Sequence, residues 1–201
     1  AHFGWNIPVV EATTETACDV FASALPVSPL KNKVVINDDP TVNAPAVIES
    51  IDTAVNDVLC GSARAVITNP IAKSYLMSRG FAFPGHTDYL GELARRHGHL
   101  HPFPVMMLWC DELAVVPTVH IPLGQVPSAL SQDLIVKTAE IAAQHFQKWF
   151  GIAQPRLALT GLNPHAGEDG LLGSEENTII KPAIAALRAQ GIDAQGPFPA
   201  D

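Results

Sequence analysis

Cysteine is scarce in this chain: Cys18, Cys60 and Cys110 are spread over 201 residues with no C-x-x-C pair among them. That spacing excludes a zinc ribbon and a disulfide-built scaffold. Odd in number and set among apolar or helical residues, the three read as reduced, buried thiols of a cytoplasmic protein. Basic residues are few as well, 12 Lys and Arg against 20 Asp and Glu, for a net charge of −8. Arg95-Arg96 is the sole adjacent basic pair, so no phosphate-tracking surface for nucleic acid is encoded. No apolar run approaches the roughly 18 residues that a membrane span needs, and no signal-peptide pattern opens the sequence. Three motifs are missing too: a G-x-G-x-x-G after a strand, a G-x-x-x-x-G-K-[ST] loop and a G-x-S-x-G elbow. Any nucleotide must therefore bind by some other construction.

What the chain does have is apolar mass. It is 47% apolar and 16% charged, with a mean hydropathy of +0.18. That composition excludes disorder for most of its length and suffices for one domain or two small ones. Short β-rich runs at Lys33–Asn37, Arg64–Thr68, Val105–Trp109, Leu113–His120 and Pro155–Leu162 predict strands. Pro117 inside the fourth marks an edge, a bulge or a kink. Apolar residues at helical spacing follow Asn43, a candidate N-cap, through Leu59. A second helix is expected over Val126–Phe150. A third should begin near Ser174, with Glu175 and Glu176 facing the positive end of its dipole, Pro182 breaking or restarting it and Gly191 closing it. Strands alternating with helices predict an α/β architecture with much parallel pairing. In such sheets ligands collect where strands end and helices begin.

Three loops of that kind carry chemistry. In Phe83-Pro84-Gly85-His86-Thr87-Asp88-Tyr89-Leu90, a glycine precedes an imidazole and a hydroxyl at a helix start, a natural seat for a carboxylate or phosphate. Thr87 or Asp88 as a plain N-cap is the competing reading. In Thr118-Val119-His120-Ile121-Pro122-Leu123, His120 closes an apolar strand, either as a core residue or as a ligand. In Gly161-Leu162-Asn163-Pro164-His165-Ala166-Gly167-Glu168, a strand feeds Asn, His and Glu into a glycine-rich loop. His120 and His165 thus stand at strand carboxyl ends, where two neutral imidazoles suit Zn²⁺ or another divalent ion. Their 45-residue separation is no local metal motif. His97, His99 and His101 alternate in a Gly/Pro-containing loop and read as exposed; His2 and His145 carry no signal.

These loops, with Ile67-Thr68-Asn69-Pro70-Ile71-Ala72-Lys73 and the closing Gly196-Pro197-Phe198-Pro199-Ala200-Asp201, closely resemble the 4-hydroxythreonine-4-phosphate dehydrogenase family of pyridoxine (vitamin B6) biosynthesis. The motifs come in the family's order and span most of the chain. The resemblance implies an isocitrate/isopropylmalate-dehydrogenase-like fold, two α/β domains around a cleft, working as a homodimer with its active site at the interface. It implies NAD or NADP as cofactor, bound without the usual glycine fingerprint, and a divalent metal ion (Zn, Mg or Co). By position, His86 and Thr87 match the family's substrate-binding pair, His120 and His165 match two of its three metal histidines, and Asp201 matches an active-site aspartate. No residue of the cofactor site is assigned. The family's third metal histidine, in a Tyr-His-Asp-Gln motif, and its opening Gly-Asp-Pro-x-Gly-Ile-Gly-Pro-Glu motif are not in the sequence. Residues 1–201, starting without Met and stopping after a Gly-Pro-x-Pro turn, therefore read as the central part of a longer two-domain dehydrogenase, incomplete at both ends.

The implied reaction is oxidation of 4-phosphohydroxy-L-threonine at C3 to 2-amino-3-oxo-4-phosphooxybutanoate, which decarboxylates to 3-amino-2-oxopropyl phosphate. Departures from the family pattern are modest. Asn69-Pro70-Ile71-Ala72-Lys73 replaces the commoner Ala-Pro-Ile-Asn-Lys, and Glu168-Asp169-Gly170 replaces Glu-Gly-Gly. Paralogues oxidise erythronate or threonate 4-phosphate or cyclic diols, and a non-catalytic metal- or phosphate-binding remnant is the alternative from another class. The charge of −8 opposes an anionic substrate, so the site must win its phosphate locally.

Overall fold

In the computed structural model the described residues are 4, 6–36, 39–99, 103–110 and 112–200, with Cys110 and Glu112 described by backbone alone. They form a mixed α/β chain that divides into two compact units, Ala1–Pro104 and Val105–Asp201.

The first unit is held together mainly by helices. Strand β1 (Val9–Glu11) pairs in parallel with β2 (Leu25–Val27), with the short helix α1 (Ala17–Phe21) between them. Helix α2 (Ala44–Leu59) confirms the helical spacing after Asn43: Ile51 and Val55, one turn apart, are buried against α3 (Lys73–Met77) and α4 (His86–Arg96). Their partners are Leu76, Phe81, Tyr89 and Leu93, and the rings of Phe81, Phe83 and Tyr89 pack within 5.4 Å of one another. Asn43 stands at the N-cap position but its side chain does not cap. Its Oδ1 accepts from the Val35 N–H and its Nδ2 donates to the Val35 carbonyl, both at 2.8 Å.

That pairing bears on a correction. Residues 33–36 of the first predicted strand, and all of Arg64–Thr68, are not strands. Ile67 is 97% exposed and Ile36 76%. A strand needs a neighbour to satisfy its N–H and C=O groups, and among the described residues none pairs with either run. Asn37 lies outside the described residues.

In the second unit β3 (Met106–Cys110) and β4 (Glu112–Val116) form an antiparallel hairpin. Strand β4 stops before Pro117, which has no N–H to extend the ladder, so His120 lies four residues beyond the strand rather than at its tip. The long predicted helix is two. Helix α5 (Val126–Ala129) ends where Leu130 turns extended, and α6 (Gln132–Phe150) restarts with Ser131 as its N-cap, Oγ accepting from the Leu134 N–H. Strand β5 (Arg156–Thr160) pairs in parallel with β6 (Asp193–Phe198). Between them a single π-helical turn, Glu176–Ile180, leads into α7 (Lys181–Ala189). The α-helix restarts at Lys181 with Pro182 in the first turn of α7, where its missing N–H costs nothing, in keeping with the restart expected at this proline. Gly191 follows the end of the helix with φ +84, as expected of a helix-closing glycine. Leu187 and Ala194 are fully covered by Ile135, Ile180 and Ile184, with Leu157 and Leu159 alongside. Of the three strand pairings among the described residues two are parallel. Cys18 and Cys60 are free, but exposed rather than buried, and neither belongs to the apolar cluster of the first unit. Among the described residues no helix is long and apolar enough to cross a membrane.

Candidate active site

Helix α4 begins where the sequence placed it, but its N-cap is Gly85, not Thr87 or Asp88. Glycine offers no side-chain oxygen, so no cap hydrogen bond covers the first-turn N–H groups. Those donors, with the positive end of the helix dipole, make an anion seat. His86 and Thr87 occupy the first two positions of the helix and are half-buried. The Nε2 atom of His86, the first residue of the helix, is buried without a hydrogen-bond partner among the described residues, and an unsatisfied buried ring nitrogen calls for a polar ligand. Asp88, the acid in this turn, is exposed.

The packing one turn on holds this seat in place. The Tyr89 ring is 4% exposed, and its hydroxyl donates to Asp52 of α2. Burial first, then the Asp52 hydrogen bond and charge, push the Tyr89 phenol well above its ordinary value. At the solvent end of α4, Arg95 and Arg96 both bond the Glu92 carboxylate and hold it down to about 2.

The second unit builds its site on strained backbone. His120 has φ +58 and is exposed. In the loop after β5, the Asn163 side chain accepts from the His165 N–H at 2.9 Å and the Asn163 carbonyl from the Ala166 N–H at 2.8 Å. Ala166, Glu168 and Asp169 all lie in the left-handed region, at φ +50, +41 and +56, with Gly167 between them at +74. Such backbone persists only where surroundings enforce it, and it clusters at functional sites. The His165 imidazole is exposed at the surface of this turn.

The segment leading to Asp201 runs beside this loop: the Gly161 N–H donates to the Phe198 carbonyl at 2.8 Å and the Ala200 N–H to the Pro164 carbonyl at 2.7 Å. Asp201, the expected active-site aspartate, lies outside the described residues, as do His2 and His101. His120 and His165 supply two exposed imidazoles, donors that suit Zn²⁺ or Co²⁺. Among the described residues no three His, Cys, Asp or Glu side chains form a metal-binding group. Each histidine carries the donor type such an ion takes, and two donors alone do not complete a ligand set.

Sequence reasoning missed Glu176. Read as a dipole partner at a helix start, it is instead 3% exposed beneath the His165 loop. The signal available was a second glutamate, after Glu175, following a glycine-rich loop.

The family model of the pyridoxal phosphate biosynthetic protein PdxA matches residues 5–201. The chain belongs to this family. It is 50% identical, over its whole length, to a 4-hydroxythreonine-4-phosphate dehydrogenase of Methylorubrum extorquens strain PA1, and covers 59% of that relative. A crystal structure of a 4-hydroxythreonine-4-phosphate dehydrogenase from Klebsiella pneumoniae superposes with a TM-score of 0.76 at 32% identity, covering 88% of this chain and 54% of that one. A terephthalate 1,2-cis-dihydrodiol dehydrogenase from Burkholderia xenovorans LB400 superposes with a TM-score of 0.59 at 25% identity, covering 96% and 59%. The chain thus spans under two thirds of the length of each of these proteins.

Proposed function

We propose that this chain carries the phosphate seat and two metal-binding histidines of a dehydrogenase that oxidises 4-phosphohydroxy-L-threonine at C3. The product, 2-amino-3-oxo-4-phosphooxybutanoate, loses CO₂ to give 3-amino-2-oxopropyl phosphate on the route to pyridoxal phosphate. The observation that carries the reading is the uncapped first turn of α4, whose first residue, His86, has a buried Nε2 with no hydrogen-bond partner among the described residues. Family membership and the kinship with dehydrogenases named for this substrate support it.

In this reading His86 and Thr87, with the α4 backbone N–H groups, bind and orient the substrate phosphate. That local attraction overcomes the chain's charge of −8. His120 and His165 hold a divalent ion, Zn, Mg or Co. When bound, the ion supplies Lewis-acid polarisation of the C3 hydroxyl. NAD or NADP supplies the hydride acceptor. Asp201 holds or moves the hydroxyl proton, a role its carboxylate suits. The working protein is a cytoplasmic homodimer of isocitrate/isopropylmalate-dehydrogenase-like subunits, with each active site at the interface.

The test is an assay of the full-length protein with NAD or NADP and each metal, following nicotinamide reduction. Turnover of 4-phosphohydroxy-L-threonine is expected, and its absence sinks the assignment. His86→Ala should raise KM for the phosphorylated substrate by about 10- to 100-fold, the worth of one charge-assisted hydrogen bond. A second reading draws on the likeness to the dihydrodiol dehydrogenase: a paralogue acting on erythronate or threonate 4-phosphate, or on a cyclic diol. Faster turnover of one of these would favour it.

A further inference from the structure

A carboxyl group buried to 3% needs a reason, because burying it without partners is costly. Glu176 has one partner. Its Oε1 accepts the backbone N–H of Asn163 at 2.9 Å, while Oε2 has no hydrogen-bond partner among the described residues. The loop above is pressed onto the carboxyl at two further points. A Cβ on Gly161 would lie 3.0 Å from Oε1, and one on Gly167 would lie 2.6 Å from Oε2. His165 stands between those two glycines. From Asn163 the constraint passes on, since its side chain takes the His165 N–H and its carbonyl the Ala166 N–H. The left-handed run at Ala166, Glu168 and Asp169 begins at that point.

The element that carries Glu176 fits this use. It opens a single π-helical turn, a local irregularity that is frequent at functional sites. Ile180, at the other end of the turn, is anchored in the apolar cluster of the second unit. The carboxyl is thereby held on rigid structure while the loop is draped over it.

We propose that Glu176 is the positioning residue of the His165 loop: it fixes the Asn163 amide, and through Asn163 it aims the His165 imidazole for metal binding. This rests on the reading of His165 as a metal ligand. The second shell of a metal site orients its first-shell ligands, and its loss typically weakens binding by about 10- to 100-fold. Glu176 acts here one step further back, through the backbone.

The experiment titrates Co²⁺ into the full-length protein and its Glu176→Ala, Glu176→Gln, Asn163→Ala and His165→Ala variants, by absorption spectroscopy. Hydrogen exchange of the loop peptide over 161–167 is measured on the same proteins without metal, alongside thermal unfolding. Glu176→Ala is expected to weaken Co²⁺ binding by at least tenfold and to speed exchange in the loop by at least tenfold. Glu176→Gln keeps an oxygen acceptor for the Asn163 N–H and should restore both to within about threefold. Wild-type affinity and exchange in Glu176→Ala, a lowered unfolding midpoint with unchanged affinity, or a Gln variant as impaired as the Ala variant would each overturn the proposal. If Glu176→Ala does not fold, Asn163→Ala decides, since it cuts the same chain of contacts one link later; unchanged affinity and exchange there overturn the proposal as well. Full Co²⁺ affinity in His165→Ala would defeat the ligand reading instead, and loop exchange alone would then judge the positioning role.

Discussion

The two units present their candidate ligand-binding side chains in opposite ways. In the first, the anion seat is made by leaving something out: Gly85 gives α4 no cap, and the helix itself is regular. In the second, His165 is presented by adding constraints, with a buried carboxyl, an Asn turn and five successive residues at positive φ. The difference follows from the ligands expected. A phosphate is held by several diffuse donors that any well-formed helix start provides. An imidazole that ligates a metal has to be aimed, and aiming needs a backbone fixed within about half an ångström.

The contrast is broken most sharply at Gly161. A methyl group there would meet the Ala166 Cα at 2.7 Å and the Asn163 carbonyl at 2.9 Å, both backbone atoms that cannot swing aside. Gly161→Ala should therefore cost about 1–3 kcal/mol, as overpacking does, read as a lower denaturant midpoint at constant slope. Co²⁺ affinity should fall with it. A variant of wild-type stability and affinity would mean that the loop is not pressed down at all, and the two units would then differ less than their backbones suggest.

A smaller effect is expected at Tyr89, which ties α4 to α2. Tyr89→Phe removes the hydrogen bond to Asp52 and should cost about 1–2 kcal/mol. The pH profile gives the same contact a second signature. Because folding raises the Tyr89 pKa above its ordinary 10.0, the neutral phenol is favoured in the folded state. Its contribution is complete below pH 10 and is lost as pH climbs beyond that. Unfolding midpoints measured from pH 8 to 11 should show a fall above 10 that is weaker in Tyr89→Phe. An identical alkaline fall in both proteins would remove Tyr89 as its source.

The same contrast explains what was legible beforehand. Helix α2, strand β5 and the start of α4 were readable because their signals are local: apolar spacing, a short apolar run after Pro155 and a Pro-Gly turn before polar residues. Residues 33–36 and Arg64–Thr68 read as strands from composition, yet a strand is a pairing, and composition does not say whether a neighbour exists. The break at Leu130-Ser131 was hidden inside an unbroken apolar period. His86, Thr87, His120 and His165 were recognisable as chemistry-bearing residues. Glu176 was not, because its role depends on which loop lies across it, a contact spanning 13 residues that no local pattern encodes.

The gentlest test lies within α4 itself. Gly91 sits in the middle of the helix, and a Cβ added there would meet nothing within 4 Å. Gly91→Ala removes backbone freedom from the unfolded chain and should stabilise the protein by about 0.5–1 kcal/mol. If the anion seat is only a well-formed helix start, stiffening the helix behind it leaves the donors where they were, and KM for the phosphorylated substrate should stay within about twofold. A several-fold rise in KM would show instead that α4 must bend or shift to receive its ligand. The first unit would then depend on conformational adjustment, and the division between a seat formed by omission and a loop held by constraint would no longer hold.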